Sequence, residues 1–145
     1  MIVPSKLSNE YIRGLVEGEG TFTFSRGWGG KKVPTFAIHM HSRDKKLLEN
    51  VRDSLGLKNK VYEYYYPGKD GSNRGPKAIL IVRELGSLKN IIIPLFYKKL
   101  KGNKGKQFEE WLEKIGTDQD VSDYFKFIYK IYKAGFYDKN PKYVD

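Results

Sequence analysis

The chain of 145 residues contains no cysteine, which excludes disulfides, thiolate nucleophiles and cysteine-based zinc sites. Histidine is nearly as scarce, with His39 and His41 the only two. They share a strand face at i and i+2, but with no third ligand in view a zinc site does not follow. Long apolar runs are missing as well: there is no stretch of roughly 18 apolar residues and no secretory signal pattern at the amino end. The expectation is an intracellular protein, cytoplasmic or organellar, with no membrane partner. Acid is short relative to base. Asp and Glu number 17 against 27 Lys and Arg, for a net charge of +10. Such an excess attracts polyanions over long range, so nucleic acid is the default partner. Any metal has to be held by oxygen or by the two imidazoles.

What is present reads as one α+β domain over residues 1–145. Ser8 can cap a helix carrying Tyr11, Ile12, Leu15 and Val16 and ending near Gly18. Thr21 to Arg26 alternates polar and aromatic residues, the period of a half-buried strand. A basic turn with Gly29, Gly30, Lys31 and Lys32 leads to a second alternating run from Thr35 to His41. Asp44 can cap a helix striped by Leu47, Leu48, Val51 and Leu55, with Gly56 where a left-handed cap is wanted. Val61 to Tyr66 and Lys77 to Arg83 form a second predicted hairpin, joined by turn formers. Ser87 can cap a helix through Phe96 that Pro94 kinks or ends. Two further helices are predicted at about 104–115 and 121–134, and the tail after Gly135 reads as irregular. The order is αββαββα, with a mixed or antiparallel sheet and trailing C-terminal helices. The Tyr124 to Tyr132 stripe reads as core or dimer packing rather than a base-stacking platform.

The sharpest chemistry lies where the first helix ends. Residues 12 to 20 read Ile, Arg, Gly, Leu, Val, Glu, Gly, Glu, Gly. Gly14 and Gly18, four apart, share a helical face and strip it of bulk. Each costs roughly 1 kcal/mol relative to Ala in an exposed helix, so a close contact is expected to offset them, with a partner helix the simplest candidate. The plain alternative is that both glycines end the helix and that Glu17 and Glu19 are solvated. A second cluster, Lys98, Lys99, Lys101, Lys104 and Lys106, has no acid among its charges. It is either a solvated basic surface or a site facing a polyanion.

Tyr11 to Phe22, and Ile12 to Gly20 in particular, resembles the LAGLIDADG motif, with Arg13 in place of a small residue and Glu at both acid positions. The resemblance extends over the order of elements up to about Ile115. It implies a homing endonuclease, intron- or intein-associated, of the single-motif type that works as a homodimer. Such an enzyme makes a metal-dependent double-strand cut in a long pseudo-palindromic duplex. Carried over, Glu19 is the catalytic and metal-binding acid, with Gly18 beside it at the metal site and Mg²⁺ or Mn²⁺ as the cation. Lys104 is the best match for the catalytic lysine, with Lys101 and Lys106 as rivals that also contact DNA. Glu17 falls at the earlier acid position, usually structural or capping. Arg13 is expected to face solvent. Met40 falls where the family often has Gln, and His39 or His41 could compensate.

The resemblance also places Tyr11, Gly14, Leu15 and Gly18 at the dimer axis and one strand face in the DNA major groove. With Phe22, Phe24, Phe36, Ile38 and Met40 inward, that face presents Thr21, Thr23, Ser25, Lys31, Thr35, Ala37, His39 and His41, with Arg26 and Lys32 at the hairpin turn. From the second hairpin come Lys60, Tyr62, Tyr64, Tyr66, Arg74, Lys77, Ile79, Ile81 and Arg83. A strand of seven or so residues spans roughly 23 Å, which sets a half-site on the order of seven base pairs. Two other classes stay open on the same scaffold: an intron maturase that binds RNA, and a non-cutting DNA-binding regulator. Outside it stands an unrelated basic α+β protein.

Overall fold

The computed structural model describes residues 6–65 and 75–139. Helix α1 spans Asn9–Glu19, and Ser8 caps it by accepting from the Tyr11 amide at 3.0 Å. Strand β1, Gly20–Arg26, follows with no intervening loop. After a tight turn, β2 runs Lys32–His41, three residues longer at its start than the alternation indicates. Helix α2 is Lys45–Leu55. Asp44 stands at its N-cap position but makes no capping bond, because a short 3-10 turn over Ser42–Asp44 leads in instead. Gly56 closes α2 at φ 74, in the left-handed region that glycine adopts without steric cost.

Strands β3, Val61–Tyr65, and β4, Pro76–Val82, complete a four-stranded sheet in the order β1-β2-β4-β3. The three strand pairings among the described residues are all antiparallel, which resolves the mixed-or-antiparallel alternative. The next helical stretch starts at Leu85 rather than after Ser87. It runs Leu85–Ser87, widens into a π turn over Leu88–Ile92 and continues as Ile93–Phe96; together these are α3. Pro94 lacks an amide hydrogen and crowds the preceding turn, and a π turn is one way to absorb that inside a helix. Ser87 makes no capping bond. Helices α4, Asn103–Thr117, and α5, Asp123–Lys133, come next. The tail expected to be irregular instead forms one more short helix, α6, Phe136–Lys139. Its Tyr137 is buried, so burial of an aromatic ring orders a segment whose sequence shows no periodicity.

All helices that contact the sheet pack on its Phe22 face. Across the register Phe22 pairs with Phe36, and Phe36 with Val82. Their rings and side chains meet Phe96, Phe108 and Trp111, with the Phe22 centroid 4.9 Å from Phe108 and 5.3 Å from Trp111. The Trp111 indole donates to the Thr23 carbonyl at 2.7 Å, which satisfies its polar end. Because side chains alternate, fixing Phe22, Phe36, Ile38, Leu80 and Val82 in the core fixes every other residue of those strands on the opposite face.

Candidate nucleic-acid interface and catalytic centre

Helix α1 carries two faces of different character. Arg13 and Glu17, four apart, and Gly20 just past the helix end all turn toward the segment between α3 and α4. Arg13 is buried, not solvent-facing as its sequence context suggests, and donates through Nε to the Leu95 carbonyl at 2.7 Å. That carbonyl lies in the last turn of α3, where a cation is favoured by the helix dipole and an unpaired oxygen needs a donor. Glu17 accepts from the backbone amides of Lys101 and Gly102, both at 2.9 Å. It holds the lysine loop from the motif helix and sets an anion against the start of α4, whose own N-cap, Gly102, has no side chain to offer. The structural role expected for the earlier acid position is the one its contacts describe.

The loop then turns Lys104 back to the motif. Its Nζ donates to the Gly20 carbonyl at 2.6 Å, one residue beyond Glu19. A lysine in the first turn of a helix faces the wrong end of the dipole, and this hydrogen bond offsets the cost. Lys101 and Lys106 are exposed, with no side-chain bond of this kind among the described contacts. Glu19 is also exposed, with no hydrogen-bond or ion-pair partner among the described residues. The half-buried Lys104 ammonium is therefore delivered to the backbone one residue beyond Glu19, although the two residues stand 85 apart in sequence.

The other face of α1 is bare. A Cβ built at Gly14 or Gly18 meets nothing within 4 Å, so no close contact among the described residues offsets the two glycines. Tyr11, 47% exposed, lies beside them with half-buried Leu15.

The strand face opposite the core is assembled by register. Thr21 pairs with Ala37 and Ala37 with Ile81; His39 pairs with Ile79 and Ile79 with Tyr62; His41 pairs with Lys77 and Lys77 with Tyr64. Thr23 and Ser25 continue it on β1, while Lys60 and Arg83 extend it beyond the strand ends. Thr35, Ala37 and Ile79 share this face but are buried: Thr35 and Ala37 are short side chains among taller neighbours, and Ile79 lies in an interior strand between His39 and Tyr62. Thr35 is further committed locally, donating to the Val33 carbonyl and sharing a 2.7 Å hydrogen bond with Ser25.

The His39 Nδ1 lies 3.2 Å from the Tyr64 hydroxyl. Crowding by the strand, and to a lesser degree the Lys77 charge, hold this imidazole below its ordinary pKa. His41 accepts from the Arg43 amide, and its ring edge lies close to Gly75. Lys60 lies over the Tyr62 ring at 5.3 Å. Arg83 donates to the Arg26 carbonyl and so joins the first hairpin to β4.

Arg26 and Lys32 fall on the core-side parity of the hairpin, and Lys31 lies in the exposed turn. Lys32 pairs with Asp118 at 2.7 Å, which raises its pKa and lowers that of the carboxyl through the shared hydrogen bond. Its backbone also bonds Asp120, so Lys32 ties the hairpin to the α4–α5 turn. Tyr66 and Arg74 lie outside the described residues. Within the aromatic stripe of α5, Ile128 is buried while Tyr124 and Phe127 are exposed. The roles of Arg13 and Asp118 had no local signal; each depends on a partner distant in sequence.

A motif helix closing on a four-stranded antiparallel sheet, with an acid at its end and a lysine delivered to it, defines a fold with a known family. The model of the LAGLIDADG endonuclease family matches residues 12–115, and the chain belongs to that family. Among solved structures, the homing endonuclease I-GzeII in complex with its DNA target is 28% identical. The match covers 90% of this chain and 43% of that one, with a TM-score of 0.57. The homing endonuclease I-TnaI is 27% identical over 75% of this chain and 71% of its own, with a TM-score of 0.58. I-SmaMI, bound to uncleaved DNA in the presence of calcium ions, shares the fold at 21% identity and a TM-score of 0.62, over 92% of this chain and 46% of that one. The chain thus spans less than half the length of I-GzeII and I-SmaMI. No helix among the described residues is long and apolar enough to cross a membrane.

Proposed function

We propose that this chain is a subunit of a site-specific DNA endonuclease that makes a divalent-metal-dependent double-strand cut in a long pseudo-palindromic site, each half read by one copy. It is intron- or intein-associated, and two copies pair through the bare faces of α1. The observation that carries the reading is the unpartnered Glu19 carboxylate beside Lys104, which is held on the Gly20 carbonyl. Family membership and the DNA complex of I-GzeII support the substrate class.

The donor set fits a hard cation such as Mg²⁺ or Mn²⁺: an exposed carboxylate at Glu19, with Gly18 leaving the neighbouring backbone approachable. No group of three His, Asp or Glu among the described residues could hold a metal alone. The remaining ligands must therefore come from a second copy, from DNA phosphate or from water. Bound there, a divalent cation supplies charge neutralisation and Lewis acidity at the phosphate. Glu19 orients the site, and Lys104 places positive charge where the cleaved phosphate becomes more negative. Thr21, Thr23, Ser25, His39, His41, Tyr62, Tyr64 and Lys77 read base edges, while Lys31, Lys101 and Lys106 hold the backbone.

The test is to incubate the protein and Mg²⁺ with a randomised duplex library and sequence the broken ends. Discrete ends at one motif are expected, and Glu19→Gln is expected to abolish them while binding persists. Uncut duplex with specific RNA binding would make the chain a maturase; uncut duplex with specific DNA binding would make it a regulator. Full cutting by Glu19→Gln removes that residue from the chemistry.

A further inference from the structure

Beyond the residues matched to the family, the chain continues into α5 and α6. There the lysine loop finds a second anchor. Lys98 sits at φ 58, a left-handed conformation that few residues other than glycine adopt. Asp138 of α6 meets it there, accepting from Lys98 Nζ at 2.7 Å and from the Tyr97 hydroxyl at 3.0 Å. The helix carrying that carboxylate is itself fixed. Tyr137 next to it is buried and donates to the Lys89 carbonyl at 3.1 Å, and its ring lies 5.6 Å from that of Tyr97. The residues following Lys98 are the ones Glu17 grips, and Lys104 follows on the Gly20 carbonyl.

We propose that Asp138 is a positioning residue for the lysine loop. By holding Lys98 left-handed it aims the chain leaving α3, so that the Lys101 and Gly102 amides fall on Glu17 and Lys104 reaches Gly20. An exposed ion pair adds little to global stability, so the effect of Asp138 is on where Lys104 sits rather than on Tm. Its functional meaning rests on the role proposed for Lys104, but the placement can be measured without DNA.

The test is trace labelling of the full chain with an amine-reactive acylating reagent, with the rate at each lysine followed by peptide mass spectrometry. In the wild type Lys104, engaged by Gly20, reacts more slowly than exposed Lys46. Asp138→Ala is expected to raise the Lys104 rate on the order of three- to fivefold, the scale on which an exposed charge pair shifts an equilibrium. Lys46 and Tm are expected to stay unchanged. Asp138→Asn keeps an oxygen acceptor on the same stem and falls between the two. Lys98→Gly takes positive φ freely, so adding Asp138→Ala in that background should change nothing further.

Unchanged labelling of Lys104 in Asp138→Ala, an equal rise at Lys46, or full additivity with Lys98→Gly overturns the inference. If both readings hold, Asp138→Ala lowers the single-turnover cleavage rate constant on the selected duplex and leaves the half-saturating DNA concentration unchanged. If Glu19→Gln still cuts, the chemistry proposed above fails while the latch, read by labelling alone, stands.

Discussion

The two faces of α1 are built from the same eleven residues and do opposite things. Toward the α3–α4 segment, Arg13 donates to the Leu95 carbonyl and Glu17 accepts from the Lys101 and Gly102 amides, while the carbonyl of Gly20, just past the helix end, accepts from Lys104 Nζ. Toward the outside, Gly14 and Gly18 touch nothing, and Tyr11 stands exposed beside them. The gripping face ties the segment that carries Lys104 to the end of the motif helix. The bare face carries two glycines whose helix-propensity cost nothing among the described residues offsets. Within one helix, then, polar side chains fix the site, and the lack of side chains leaves room for a partner.

Filling the bare face tests the comparison most severely. Gly18→Leu is expected to leave the isolated chain folded, even more stable by about 0.5–1 kcal/mol through helix propensity, while abolishing self-association and double-strand cutting. Sedimentation at micromolar concentration, with and without DNA, reads this directly. A wild-type chain monomeric under both conditions would end the two-fold pairing.

On the gripping face the same kind of change should act on the fold itself. A Cβ at Gly20 would stand 2.5 Å from Val16 Cγ1 and 2.9 Å from the Val16 carbonyl. Gly20→Ala is therefore expected to cost about 1–3 kcal/mol in urea unfolding. An unfolding midpoint equal to that of Gly18→Ala would erase the distinction between the faces.

Arg13→Met leaves the buried Leu95 carbonyl without its donor, for a loss of about 1–3 kcal/mol. Glu17→Gln removes the charge and one of two acceptors, for about 1 kcal/mol. The measurable consequence of Glu17→Gln is faster hydrogen exchange at the Lys101 and Gly102 amides, and unchanged exchange there would show that the loop needs no clamp.

The smallest effect lies on the strand face, away from α1. Burial and Lys77 hold His39 below its ordinary value of 6.5, so the unfolded chain takes up the proton first as pH falls. The stabilising contribution of the neutral imidazole is present above that value and is lost as pH drops through the folded midpoint. Lys77→Met removes the lesser of the two causes, so the His39 midpoint should rise only part of the way in an NMR titration. A midpoint that stays put or falls would remove Lys77 as a cause.

By itself the sequence determined the order of elements through Lys133, the family and the parity of the sheet. Alternation in Thr21 to Arg26 and Thr35 to His41, the Ser8 cap and the Gly56 stop are local signals, because a period or a cap is written in neighbouring residues. The motif from Ile12 to Gly20 pointed to Glu19 and to the bare glycine face for the same reason. Only the tertiary structure decided the rest. Arg13 reads as a surface cation until the Leu95 carbonyl, 82 residues away in sequence, is brought to it.

 Until that contact is made, nothing near Leu95 in the sequence marks it as a partner for a cation. Sequence likeness favoured Lys104 over Lys101 and Lys106, but its hydrogen bond to the Gly20 carbonyl is a tertiary contact. The short helix carrying Asp138 showed no period at all, and packing of Tyr137 against the α3 region ordered it. The pairing of Lys32 with Asp118 likewise had no local signal in the sequence. Periodicity records which way a residue faces along its own strand or helix, whereas a hydrogen bond between distant segments exists only once the core has brought the two backbones together.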